Sequence, residues 1–206
     1  PAMNPSRSFC LTALLLTLGS GACCASGTAD APDRAAETPP ARRVVADFAD
    51  PQEADAWRVV NDDVMGGRSE GDTHFNDGHM TFFGSINTNG GGFSSVRRAI
   101  EPGQLTGADR VRLRVKTDGR PYRVTFRDGS HSRRGEVMYR APIEAAASDG
   151  WQTVSVAFAD LEASFHGNPV DAEPFDPAAA YELGLILNDT GDGPFHLAVQ
   201  WIAAVQ

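Results

Sequence analysis

The sequence predicts an all-β domain, an antiparallel β-sandwich of jelly-roll type, and three observations carry that expectation. Apolar residues recur at every second position in several short runs. Clusters of glycine, aspartate and asparagine separate those runs, and helical spacing is almost absent. Many short strands broken by tight turns bury one face each, and two sheets packed face to face satisfy that need.

The elements follow in order. Val111, Leu113 and Val115 alternate with Arg112, Arg114 and Lys116. After Asp118-Gly119-Arg120-Pro121 the pattern resumes, with Tyr122, Val124 and Phe126 set against Arg123, Thr125 and Arg127. The two runs and their turn predict a hairpin with one apolar and one cationic face. Val154, Val156 and Phe158 alternate likewise, as do Phe195, Leu197, Val199 and Trp201. Leu183 to Leu187 is apolar on both parities apart from Gly184, which predicts a central strand covered on both faces. Asn76-Asp77-Gly78, Asp128-Gly129, Asp149-Gly150 and Asp189 to Pro194 read as turns, and Asp160–Phe165 and Pro177–Tyr181 as a helical turn or two each.

The chain has 206 residues, of which 41% are hydrophobic and 22% charged, the balance of one globular domain with accessories. Its formal charge of −9 argues against a general nucleic-acid binder, which needs a basic footprint. Residues 1–25 read as a bacterial secretory signal peptide: Arg7 is a positive leader, Phe9 to Leu18 an apolar run too short to span a bilayer, and small residues follow. Two cleavages compete. Ser20-Gly21-Ala22-Cys23 resembles a lipobox that would make Cys23 a lipidated terminus, and ordinary cleavage after Ala25 would remove every cysteine. Either way the expected location is exported, in the periplasm or cell envelope, with a lipid anchor as the one membrane attachment. Residues 26–43, rich in Ala, Pro and acids, read as a flexible tether, and 44–206 as the folded domain. Cys10, Cys23 and Cys24 are the only cysteines, so the folded part has no thiol for catalysis or zinc.

The segments Trp57–Ser69 and Phe82–Arg98 hold the most specified chemistry. Gly66 and Gly67 follow Met65 where the chain must turn sharply; they serve either a structural turn or a rim of exposed N–H groups aimed at a ligand. Arg68-Ser69 opens no helix, so this is not a phosphate loop. Asn61, Asp62 and Asp63 form either local hydrogen bonds to turn N–H groups or, as the sharper alternative, a calcium site at Asp62 and Asp63. Gly90, Gly91 and Gly92 suit a bulge ahead of Phe93 as core anchor, and Arg97 or Arg98 is placed to pair with Asp62 or Asp63 and join the segments. The candidate binding rim is therefore Asn61, Asp62, Asp63, Met65, Gly66, Gly67, Arg68, Ser69, Gly91, Gly92 and Arg97.

The stripe Arg112, Arg114, Lys116, Arg123 and Arg127 reads as a solvated outer face, or as a surface for an anionic or hydroxyl-rich partner. Tyr122, Trp57 and Trp151 are candidates to stack on sugar rings, but the strand patterns of Trp151 and Trp201 place these two in the core. The five histidines are scattered and no nucleophile elbow or zinc-binding helix motif is present, so no catalytic residue, no enzyme activity and no cofactor is expected.

The segments N-D-D-V-M-G-G-R-S and G-G-F-S-S-V-R, the Y-R-V strand after D-G-R, the Trp151 strand and the closing G-P-F-H-L-A-V-Q-W-I resemble the complex I intermediate-associated protein 30 family, from about Asp47 to Ile202. The resemblance implies a galactose-binding-domain-like β-sandwich. It also implies a chaperone-like assembly role with no reaction of its own, since the mitochondrial member is an assembly factor for respiratory complex I. An export signal departs from that picture. The function expected is non-catalytic binding of a protein partner in the cell envelope. The alternative is a carbohydrate-binding module for envelope polysaccharide. Exposed aromatics on a concave face favour the second, and an arginine and glycine rim without an aromatic platform favours the first.

Overall fold

The computed structural model describes residues 42–206. The segment read as a signal peptide, the lipidation site Cys23 and nearly all of the tether lie outside the described residues. In chain order the strands are β1 (Arg43–Asp47), β2 (Trp57–Asn61), β3 (Glu70–Asn76), β4 (His79–Ile86) and β5 (Ser94–Ala99). Next come β6 (Arg110–Thr117), β7 (Arg123–Arg127), β8 (His131–Ser132), β9 (Gly135–Glu136) and β10 (Met138–Pro142). The last are β11 (Ser148–Ala157), β12 (Glu162–Phe165), β13 (Asn168–Pro169), β14 (Glu182–Leu187) and β15 (Gly193–Val205).

They form an antiparallel sandwich. One sheet runs β11-β6-β15-β4-β3, with β1 also on β15; the other runs β13-β12-β10-β7-β14-β5-β2, and β8-β9 is a small separate ribbon. Val111, Leu113 and Val115 from the first sheet and Val124, Phe126, Leu183, Leu185 and Leu187 from the second are buried in one core. Asp77 and Gly78 both take positive φ between β3 and β4, which is the two-residue turn that matches strand twist. The strand expected at Leu183–Leu187 is β14, buried at every position between β7 and β5.

Three local expectations are corrected. β6 and β7 are not a hairpin: β6 pairs with β11 and β15, whereas β7 pairs with β10 and β14 in the opposite sheet. Alternation shows which residues face inward but not which strand lies alongside, and Asp118–Pro121 carries the chain across the sandwich. The cationic stripe is thereby divided, with Arg112, Arg114 and Lys116 on the first sheet and Arg123 and Arg127 on the second. The segment Asp160–Phe165 is a short 3-10 turn ending at Asp160 followed by strand β12. A bulge between Val199 and Trp201 shifts the parity of β15, so Ile202 and Ala204 turn inward and Trp201 turns out.

The aromatic assignments reverse for the same reason. Trp57 and Tyr122 are buried in the core. Trp151 and Trp201 are half-buried, with the Lys116 ammonium 4.7 Å above the Trp151 ring and the Arg42 guanidinium 3.4 Å above Trp201. Phe93 is half-buried and outside the core.

Candidate functional site

Asp62 organises the glycine-rich segments. It is fully buried at the start of a 3-10 turn, Asp62–Met65, that follows β2. One carboxylate oxygen accepts the Ser69 N–H at 2.8 Å; the other accepts the Ser69 hydroxyl at 2.7 Å, the Gly92 N–H at 2.6 Å and the Phe93 N–H at 3.3 Å. Burial pushes the Asp62 carboxyl up, but these donors together outweigh it and hold the group below its ordinary value. A Cβ on Gly67 or Gly91 would fall inside this carboxylate, so the two glycines make room for it. Gly66 takes the left-handed conformation, φ 86°, and closes the turn.

The remaining candidates take their places around this hub. Asn61 ties three strands: its Oδ1 accepts the Ser94 hydroxyl at 2.6 Å and the Gly71 N–H at 3.1 Å, and its Nδ2 donates to the Gly71 carbonyl at 3.2 Å. Asp63 accepts the Val64 N–H at 3.0 Å. Val64 and Met65 stand out at the tip of the turn, 69% and 61% exposed. Arg68 is exposed and Ser69 buried. The expected pairing of Arg97 or Arg98 with Asp62 or Asp63 does not form: Arg98 pairs with Glu53, and Arg97 lies 3.9 Å from Glu182 with its Nε on the Ser95 hydroxyl at 3.1 Å. Backbone amides already fill the Asp62 carboxylate, so no arginine is needed there. The same donors stand where a calcium ion at Asp62 and Asp63 would sit, and no cluster of three metal-ligating side chains stands together among the described residues.

The turn forms one wall of a groove of about 760 Å³ over the outward face of the second sheet. Asp62, Val64, Met65, Gly91, Gly92 and Phe93 line that wall, Phe165, His166 and Gly167 stand in its lining too, and Val60, Arg97, Ile186, Arg127, Met138 and Arg140 line the sheet face. The register explains the floor. Arg58 is paired with Arg97, Arg97 with Gly184, Gly184 with Thr125, Thr125 with Arg140, and Arg140 with Glu162, a single cross-strand row over six strands.

Charge is concentrated on this face. Glu182, buried, meets Arg58 and lies 3.2 Å from Arg127, which also bonds Glu136 at 2.9 Å; Tyr181 donates its hydroxyl to Glu136. Burial pushes the Tyr181 phenol up to about 12, and the hydrogen bond to Glu136 adds to the rise. Burial lowers the Arg97 guanidinium below its ordinary value, with Glu182 opposing and Arg127 and Arg58 adding to the fall. Arg140 is 9% exposed; its Nη2 donates to the Gly167 carbonyl at 2.8 Å and its Nε has no partner among the described residues. Asp189, at the groove margin, is held by both Nε (2.9 Å) and Nη2 (2.5 Å) of Arg120.

Sequence reasoning thus found one wall of the groove and missed most of its floor. Glu136, Met138, Arg140 and Ile186 come from β9, β10 and β14, far along the chain, and only pairing brings them together. One signal was present: in M-Y-R-A-P, period two sets Met138 and Arg140 on the face opposite Tyr139.

Similar proteins agree on the fold. A family 11 carbohydrate-binding module of a cellulosomal cellulase from Clostridium thermocellum superposes with a TM-score of 0.58 at 12% identity, covering 82% of this chain and 97% of that one. The family 11 module from the same organism in complex with a β-1,3-1,4-mixed-linked tetrasaccharide gives 0.55 at 13% identity, over 80% and 95% of the two chains. These likenesses establish the jelly-roll sandwich and nothing finer.

A curated relative from Mus musculus, complex I intermediate-associated protein 30, mitochondrial, is 27% identical over 180 residues, covering 78% of this chain and 55% of its own length. The chain therefore spans about half the length of the curated relative it matches. This relative overturns the expected export to a periplasm or cell envelope, because it is a mitochondrial protein. A short apolar run behind one arginine is too generic a signal to fix a destination. The model of the family described as complex I intermediate-associated protein 30 matches residues 46–199, which takes in both glycine-rich segments, the Asp62 hub and the groove floor. With the match running through nearly the whole described sandwich, the chain belongs to the complex I intermediate-associated protein 30 family.

Proposed function

We propose that this chain is a non-catalytic docking module that holds a protein partner, in the assembly-factor manner its family name describes, through the groove and the Val64-Met65 tip. The observation that carries the reading is that tip. Two adjacent large apolar side chains stand 69% and 61% exposed on a turn held by a buried carboxylate, where water is a poor neighbour and a partner's apolar surface a good one. The acids of the groove support a binding role over chemistry: Asp62 faces four donors, Asp189 is clasped by Arg120, and Glu136 is shared by Arg127 and Tyr181. General acid–base work needs a carboxylate with a free face toward substrate.

A carbohydrate ligand is the second reading. The groove margins carry the rings of Phe93 and Phe165, and the arginine floor suits hydroxyl-rich ligands. Neither tryptophan nor tyrosine is among the groove-lining residues, and Trp151 and Trp201 are covered by cations elsewhere. Replacing Met65 with a photoreactive benzoylphenylalanine tests the choice. A cross-linked protein adduct of defined mass, lost in Gly67→Ala, supports docking. Absence of any protein adduct, with retardation of the wild type in mixed-linkage glucan gels, replaces it with the carbohydrate reading.

A further inference from the structure

We infer that the groove receives an acidic, extended peptide segment of the partner, its carboxylates seated on Arg97 and Arg140; this rests on the protein-docking reading above. The groove lining carries three guanidinium groups, Arg97, Arg127 and Arg140, and three carboxylates. Of these acids Glu136 is held by Arg127, Asp189 by Arg120 and Asp62 by four hydrogen-bond donors. Arg58 and Glu182 stand beside the groove on the same sheet face. Glu182 is taken mainly by Arg58 and Arg127, since Arg97 approaches it only to 3.9 Å. Arg97 and Arg140 are left as the less neutralised of the three lining cations, in a chain whose total charge is −9.

Arg140 is the more telling of the two. It is nine-tenths buried, one nitrogen bonds a carbonyl, and its Nε is unpartnered among the described residues. Burial, with Arg123 adding to it, disfavours its charge, and Glu162, its cross-strand neighbour on β12, partly opposes this. A buried guanidinium with no carboxylate hydrogen-bonded to it weakens the fold, and an incoming anion would relieve it.

The row also defines a shape. Between Arg97 and Arg140 lie only Gly184 and the buried Thr125, so two long cations flank a low strip. Their strands are three spacings apart, about 14 Å, which four residues of extended chain span. Ile186, Met138, Phe93, Val64 and Met65 lie around this strip and suit the apolar side chains of such a segment better than a sugar's hydroxyl edge. Arginine forks grip carboxylates bidentately, which gives the segment a register.

The test is titration of the full chain with an eight-residue peptide alternating glutamate and valine, read by calorimetry and by NMR of the arginine Nε–Hε resonances. The chain's overall negative charge repels this probe, so binding reports the local field of the groove. The expected result is binding that moves the Arg97 and Arg140 resonances and weakens about tenfold for the glutamine counterpart and for Arg140→Met. Arg140→Met is expected to melt no lower than the wild type, which separates a binding residue from a structural one. Should it fail to fold, Arg97→Gln serves as the second variant with the same expected loss. Equal binding of the glutamate and glutamine peptides overturns the inference, as does undiminished binding by the arginine variants. Binding of tetragalacturonate without binding of the peptide overturns it in favour of an acidic glycan, and silence toward both probes removes the anion site. If the Met65 photo-adduct forms equally in Arg140→Met, docking stands and the acidic segment falls.

Discussion

Asp62 and Ser69 are joined twice across seven residues, through the serine N–H at 2.8 Å and the serine hydroxyl at 2.7 Å. These two hydrogen bonds close the Asp62–Ser69 loop on itself, and the Gly92 and Phe93 N–H groups then attach the neighbouring segment to the same carboxylate. Two sequence segments thirty residues apart behave as one wall because one acid holds both.

Asp62→Asn keeps the size of the side chain and loses its charge, and is expected to destabilise the fold by about 2–3 kcal/mol at neutral pH. The donors hold the Asp62 carboxyl below its ordinary value of 3.8, so its contribution is present above that pH and is lost as pH falls through the lower folded value. Urea unfolding from pH 7 down to pH 2 should therefore show wild type and variant converging only below about pH 3.8.

The three turn glycines are expected to differ. Gly66→Ala meets open space and bears only the cost of a positive φ, about 1 kcal/mol. Gly67→Ala and Gly91→Ala push a methyl into the Asp62 carboxylate and are expected to cost about 3 kcal/mol each. Thermal unfolding of the three single variants checks the order; equal losses would contradict the role given to Asp62.

Arg120 joins the crossover between the sheets to the loop before β15. Besides Asp189 it bonds the carbonyls of Gly193 at 2.9 Å, Pro194 at 3.0 Å and Gly191. Arg120→Ala is expected to cost about 3 kcal/mol, leaving Asp189 unpaired. Arg120→Lys is expected to recover less than half of that, because an ammonium cannot serve a carboxylate and three carbonyls in a planar fork. Chemical denaturation of both variants reads the difference.

The chain has three tyrosines, and burial raises all of them above the ordinary 10: Tyr181 to about 12, Tyr139, and Tyr122 furthest. Absorbance near 295 nm should show less tyrosinate in the folded than in the urea-unfolded protein at about pH 10.5. Because the folded state holds these protons longer than the unfolded state, stability is expected to fall as pH rises from about 10 to about 12. Glu136→Gln should make Tyr181 titrate earlier, since the carboxylate that accepts its hydrogen bond contributes to the rise.

The sandwich was legible because alternation and turn chemistry are local properties, and β14 and the β3-β4 turn are where they were read. The neighbouring strand is a non-local property, which is why β6 and β7 read as a hairpin while standing in opposite sheets. The bulge at Trp201 was invisible for a different reason: one extra residue reverses every face beyond it without leaving a mark in the apolar count. At the site, the turn glycines and Asp62 were read as one surface, but Arg97 was aimed at the wrong acid. Its partner Glu182 comes to the same sheet face only through the pairing of β14 with β5.

Both sheets are completed by strands that come late in the chain. β14 sits between β7 and β5, and β15 bridges β6 to β4 and β1. Until residues 182–205 are in place neither sheet is continuous, and β1 must wait for Trp201–Ala204 before it has a hydrogen-bond partner. Such long-range closure makes for slow folding, on the millisecond-to-second scale typical of all-β topologies, with open strand edges exposed in the meantime.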